Sequence, residues 1–278
     1  MSIFQIMKLV FNLIFSLLVL VGVSQSEAPA FQDTRLVNMH TNVMLPAKTL
    51  QLRIGHRFGA IKDGFYELWG LDQAHMRIGF EYGLSDKAMI GIGRTSTNKT
   101  FDGFLKAHFI EQSSKFPFSI LYLGSVNING SKVFLTSNGD KTSFAHRLSF
   151  SNHLIITSKL NDRISVMLQP TYLHQNLVKD DGDKNDMMLI GLGGKYSISR
   201  VVSLTSEYIY RLPVNNSPLY EDNHDSFSLG VAFDTKGHYF SLHLTNSAAL
   251  YESGYLVHTF DDWLDGGIRL GFNIIRNF

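Results

Sequence analysis

The sequence predicts an all-β chain closed into an antiparallel transmembrane barrel of about twelve strands, preceded by a cleaved signal peptide. Three observations predict it. Apolar and polar side chains alternate with period two over runs of about ten residues. An export signal precedes the first run. Short and long links between runs alternate along the chain.

The export signal comes first. Met1 to Lys8 is a short segment ending in a positive charge, and Leu9 to Val23 is mostly apolar, interrupted by Asn12 and Ser16. Ser24-Gln25-Ser26 supplies small residues for cleavage after Ser26. Residues 1–26 are therefore expected to be removed, 27–48 to form an N-terminal periplasmic segment, and 49–278 to form the barrel. The apolar stretch is shorter than the roughly 20 residues a membrane-spanning helix needs.

The runs follow. In Leu50-Gln51-Leu52-Arg53-Ile54-Gly55-His56-Arg57-Phe58 the even positions are apolar apart from His56, and the odd ones are polar or Gly. Ala74 to Leu84, Phe101 to Phe109, Met188 to Tyr196, Phe227 to Phe233, Phe240 to Leu244 and Ile268 to Phe278 repeat the pattern. Strands near 117–127, 143–157, 164–175 and 201–212 alternate less cleanly. Soluble strands average about five or six residues. Strands of about ten, tilted, cross the roughly 25 Å apolar band of an outer membrane. The apolar face is assigned to lipid and the Gly-rich, charged face to the lumen. Lumen-lining candidates are Arg53, Arg57, His75, Arg77, Glu81, Lys106, His108, Lys195, Glu207, His243 and Arg269.

The links set the topology. Residues 85–87, 112–116, 158–163, 197–200 and 235–237 are short; 59–73, 128–142, 176–186, 213–225 and 246–265 are mostly long. The link at Thr97-Asn98-Lys99 is short where a long one is due. Tight periplasmic turns and longer external loops have this order. The final strand carries Ile268, Leu270, Phe272, Ile274 and the terminal Phe278 on one face. Phe272, Ile274 and Phe278 thus fit an assembly signal read by the barrel-assembly machinery.

Composition narrows the function. With 25 Lys+Arg against 24 Asp+Glu the chain is nearly neutral, which argues against a nucleic-acid partner. It has no Cys, which excludes disulfides, thiolate metal sites and thiol catalysis. Loop acids Asp180, Asp181, Asp183 and Asp186 surround a Gly and form a weak calcium candidate, but they lack the distal Glu of an EF-hand and equally well solvate a loop. Trp69 and Trp263 fit either interfacial anchors or a ligand-binding surface. His243 with Thr245 and Ser247 is the nearest constellation to a hydrolase, without an orienting acid. No cofactor is called for.

Several segments resemble one family. Gly55-His56-Arg57-Phe58-Gly59, Leu68-Trp69-Gly70-Leu71-Asp72-Gln73, Arg77-Ile78-Gly79-Phe80-Glu81-Tyr82-Gly83, Thr100-Phe101-Asp102-Gly103-Phe104-Leu105-Lys106 and Ser151-Asn152-His153-Leu154-Ile155-Ile156 carry the likeness. It continues through Asp162-Arg163 and Gln169-Pro170-Thr171-Tyr172. These match an uncharacterised outer-membrane β-barrel family of Bacteroidota, a domain of unknown function. The resemblance implies a closed barrel in contact with outer-membrane lipid and implies no activity. The expected function is a narrow channel or solute-binding porin-like protein without a catalytic site. The alternative is a structural or surface-interaction barrel with a plugged lumen, for which the apolar loop 59–73 is fit either to fold inward as a plug or to pack against a partner; a lipid-modifying barrel enzyme is a weaker third. The expected location is the outer membrane of a Gram-negative bacterium. Oligomeric state is not legible.

Overall fold

The chain's alternation folds into one continuous sheet that meets itself. The computed structural model describes residues 29–136, 139–178, 182–213, 223–235 and 238–278. The expected signal peptide, 1–26, lies outside the described residues. The strands are β1 (Leu50–Ala60), β2 (Ala74–Ser85), β3 (Ala88–Thr95), β4 (Phe101–Ile110), β5 (Ser119–Ile128) and β6 (Leu148–Lys159). They continue as β7 (Ile164–Gln175), β8 (Asp186–Ser197), β9 (Val202–Arg211), β10 (Ser226–Thr235), β11 (His238–Thr245) and β12 (Arg269–Asn277). Every strand pairs antiparallel with its chain neighbours, and β1 pairs with β12 to close the barrel. Closure satisfies edge groups that lipid would leave unpaired. At the seam the Leu50 and Phe278 backbones exchange both hydrogen bonds, at 3.2 and 2.8 Å.

Register explains the two faces. Ile54 of β1 sits between Ile78 of β2 and Ile274 of β12, giving an unbroken apolar band on the outside. Phe80, Ile92, Phe109 and Leu229 are exposed on that band, as a lipid-facing wall requires. His56 is the polar intruder, and its ring stacks on Phe272 at 5.0 Å and lies 4.4 Å from Phe58.

The segment 27–48, expected to lie in the periplasm, is described from residue 29, and much of it runs inside the barrel. From Ala30 to Asn42 nearly every residue is buried, because this stretch is threaded into the bore. It forms a hairpin strap. Arg35 bridges His40, Leu36 N–H donates to Met39 O at 2.8 Å, and Thr41 N–H donates to Thr34 O at 2.9 Å. Its exit lies at the short-turn end, where Lys48 N–H donates to Gly83 O at 2.8 Å. A Cβ on Gly83 would collide with the backbone of Leu45 and Pro46, so glycine is what allows the strap to leave along β2.

A second piece enters from the other end. The first half of the long loop after β11 folds inward, and its helix α1 (Glu252–Val257) is buried at every residue. It packs against β5, β6 and β9. By contrast loop 59–73, which could have folded inward as a plug, stays outside: Phe65 is 75% exposed and Tyr66 90% exposed. Local geometry keeps it there. It coils into 3-10 turns over Ile61–Asp63 and Phe65–Gly70, with Leu68 and Trp69 both at positive φ, and it is tied at Lys62 N–H to Gly266 O.

Candidate functional site

The bore is where the polar face converges, and its charges are engaged with the strap. Arg53 forms a two-pronged pair with Asp33, at 2.9 and 2.6 Å, and also reaches Glu81 at 3.3 Å. Glu81 accepts from the Thr34 hydroxyl at 2.7 Å. Arg57 donates to Asn38 Oδ1 at 3.1 Å. Lys106 is fully buried and donates to the carbonyls of Thr41 and Val43 at 3.2 and 2.7 Å. Lys195 lies 5.9 Å over the Phe31 ring.

Glu207 holds the tip of the hairpin. Its carboxylate accepts from the backbone N–H groups of Val37, Asn38 and Met39 at 3.2, 3.0 and 3.1 Å, and from Asn38 Nδ2 at 2.6 Å. Successive N–H groups converging on one anion form a nest, here filled by a wall side chain. Arg77 instead pairs with a wall partner, Asp102, at 2.9 and 2.5 Å.

The two inserted pieces meet in the middle. Glu252 of α1 pairs with Arg35 at 3.0 Å and contacts His40 Nε2 at 3.2 Å. Around this joint the interior is apolar: Phe31, Leu36 and Met39 of the strap and Tyr255, Leu256 and Val257 of α1 pack on Leu121, Leu123, Ile155, Met167, Leu173, Leu189 and Ile209. Glycine makes the room. A Cβ on Gly191 would overlap the Met39 sulfur, and one on Gly193 would crowd Leu36 and Met167. These glycines face the plug, which is the crowding they relieve.

The remaining candidates divide by position. His243 points inward and is buried beside Gly271, with neither ring nitrogen bonded to a described residue. Thr245 is bonded to Ser228 at 2.9 Å, so it does not join His243 in a catalytic pair. His75 and Arg269 sit at the long-loop rim rather than in the bore: His75 bonds Thr97 at 3.1 Å, and Arg269 bonds Asp261 at 3.0 and 2.6 Å. His108 is at the short-turn rim, where its Nε2 donates to Ile110 O at 3.0 Å. His153, which its parity in the sequence also places on the lumen face, is fully enclosed by Ser151, Gln169 and Thr171 at 2.7–2.9 Å.

Of the loop acids, Asp180 and Asp181 lie outside the described residues. Asp186 is bonded to the Tyr172 hydroxyl and to His174 Nδ1, while Asp183 is buried. Among the described residues no cluster of three metal-ligating side chains forms. Trp263 donates from Nε1 to Phe227 O at 2.8 Å and packs on the outward Phe227 ring at 5.0 Å, the posture of a rim anchor.

Space opens at both ends of the bore. Cavities of about 470 Å³ and about 220 Å³ open at the long-loop and short-turn ends. Between them, a void of about 20 Å³ remains among Arg35, Asn38, Arg53 and Arg77, room for about one water.

A closed barrel of membrane-sized strands with this filling can be set against known proteins. A family model described as "membrane bound beta barrel domain (DUF5777)" matches residues 31–278. The chain belongs to this family. The match begins inside the strap, so the family model takes in the plug as well as the wall. No curated protein matches the chain. Among solved structures, the NanC porin superposes with a TM-score of 0.51 at 8% identity, covering 82% of this chain and 98% of that one. The KdgM porin gives 0.47 at 8% identity, covering 83% and 98%. The COG4313 outer membrane channel from Pseudomonas putida F1 gives 0.49 at 11% identity, covering 85% and 97%. The likeness to NanC speaks to fold alone, a closed barrel of porin-like architecture, and the family description makes it membrane-bound.

Proposed function

We propose that the protein is an outer-membrane channel of a Gram-negative bacterium, held shut at rest by its own two-part plug and conducting small solutes when the strap is withdrawn. The observation that carries this reading is the pair of end cavities separated by a void of about 20 Å³. Both legs of the strap reach the short-turn end, which faces the periplasm in barrels of this kind, so it slides out without unthreading the wall. On withdrawal its polar contacts exchange for water, while Phe31, Leu36 and Met39 leave the apolar cluster. The exposed Phe278 and the outward Phe272 and Ile274 of β12 suit recognition by the barrel-assembly machinery. The reading assigns no catalytic step, and His243 serves the wall.

Planar-bilayer recordings test it. Intact protein should be silent, and a variant lacking residues 29–48 should give discrete conductance steps. Steps from the intact protein would overturn the plug. Silence from a deletion variant that still shifts on gels upon boiling would overturn the channel and leave the alternative, a structural or surface-interaction barrel. The exposed Phe65, Tyr66 and Trp69 favour that second reading.

A further inference from the structure

The cavity of about 470 Å³ at the long-loop end is walled by β5 to β7 and floored by the inserted loop that carries α1. Its volume lies in the ordinary range for small-molecule sites. The wall residue Asn127 is 1% exposed and lines it, yet neither its Oδ1 nor its Nδ2 is hydrogen-bonded to a described residue. Leaving both ends of a buried carboxamide unpaired costs more than an ordinary hydrogen bond gains. Such a group calls for something in the cavity that both donates and accepts.

The surroundings say what kind of molecule. Asn98, Asn129 and Gln175 add further amides, and none of the described lining residues is Asp or Glu. Arg147 is the one Lys or Arg among them, and its Nη1 is turned to the backbone. It donates to the carbonyls of Asn129 and Ser131 at 2.9 and 2.7 Å and lies 5.5 Å over the Phe134 ring. Phe260, 60% exposed, and Tyr251 contribute aromatic surface. Amides beside aromatic faces, with no acid and one cation turned to backbone carbonyls, match neighbouring hydroxyls on a ring whose C–H face is apolar.

We infer that this vestibule is a binding site for a neutral saccharide, with Asn127 bridging two adjacent hydroxyls: one donates to Oδ1 and the other accepts from Nδ2. Phe260 and Phe134 cover the C–H faces of the sugar. The site sits directly on the plug, since Tyr251 and Ser253, which flank Glu252, form part of its floor. Binding itself does not depend on the channel reading; only the sugar's role as cargo or signal does.

Calorimetric titration of the purified full chain in detergent tests it, using maltotriose, cellotriose and xylotriose, with trigalacturonate as the charged counterpart. At least one neutral trisaccharide should bind. Asn127→Ala should weaken that binding about tenfold or more, and Phe260→Ala several-fold, both variants keeping the gel shift of a closed barrel. No binding by any of the three, tighter binding of trigalacturonate, or unchanged affinity in Asn127→Ala would each overturn the site. The titration needs no current through the bore, so its failure leaves the channel reading standing, and a silent bilayer leaves this site standing.

Discussion

The strap at 29–48 and helix α1 fill the same bore from opposite ends and share one apolar cluster, but the strap is held in addition by a set of charged wall side chains. Asp33, Thr34, Asn38 and the backbone of 37–43 are held by Arg53, Arg57, Lys106, Glu81 and Glu207, through directional contacts. Tyr255, Leu256 and Val257 of α1 are held by an apolar surface on β5, β6 and β9. The lesson concerns charged lumens in general. Ionisable side chains facing inward do not by themselves mean water: here they are the sockets of a plug.

The largest test of that contrast is Glu207→Ala. It removes the acceptor of three buried N–H groups and one side-chain amide, which should loosen the strap by about 3 kcal/mol or more. Hydrogen exchange at Val37, Asn38 and Met39 should rise while α1 stays protected. Equal loosening of both pieces would mean they form a single cooperative unit. Leu256→Ala makes the complementary cut, and should loosen α1 by about 2–4 kcal/mol through lost burial and the cavity left behind. Added salt should leave that loss unchanged; a marked salt dependence would show that the helix is held by charge after all.

A smaller effect sits at the joint. Arg35 and Glu252 are both buried and 3.0 Å apart, so a double-mutant cycle with Arg35→Met and Glu252→Gln should return a coupling of about 1–3 kcal/mol. Additive effects would mean that the pieces merely touch. The smallest concerns the outer half of the same loop. Burial raises the Asp261 pKa, but hydrogen bonds from Arg269 and Lys62 outweigh it and hold the carboxyl below its ordinary value. A depressed carboxyl stabilises above its unfolded pKa, about 4, and the contribution is lost as pH falls through the lower folded value. Exchange in loop 258–268 should therefore quicken on acidification in the wild type and be fast at all pH in Asp261→Asn. A flat profile in the wild type would remove this tie.

Much of the wall was legible along the chain. Leu50 to Phe58 and Ala74 to Leu84 announce their outward faces because lipid demands an apolar side chain at every second position, whatever lies inside. The less regular strands carried a message that alternation alone does not decode. Leu121 and Leu123, Ile155, Met167 and Leu173, and Ile209 point inward and blur the pattern on β5, β6, β7 and β9 because they pack against the plug. Glycine gave the same hint at Gly191 and Gly193, where the missing side chains make space for Met39 and Leu36.

The sequence by itself determined the strands, their outward faces, the order of links and so the barrel, because each follows from local periodicity read against a hydrocarbon solvent. Which segments fill the interior was decided only in three dimensions. The strap has no period to betray it, and its partners Glu207 and Lys106 lie far along the chain. Loop 59–73 is the greasier segment, yet its own turns and its tie to Gly266 hold it outside. A plug is chosen by complementarity to a closed wall, and that wall exists only once β12 has met β1.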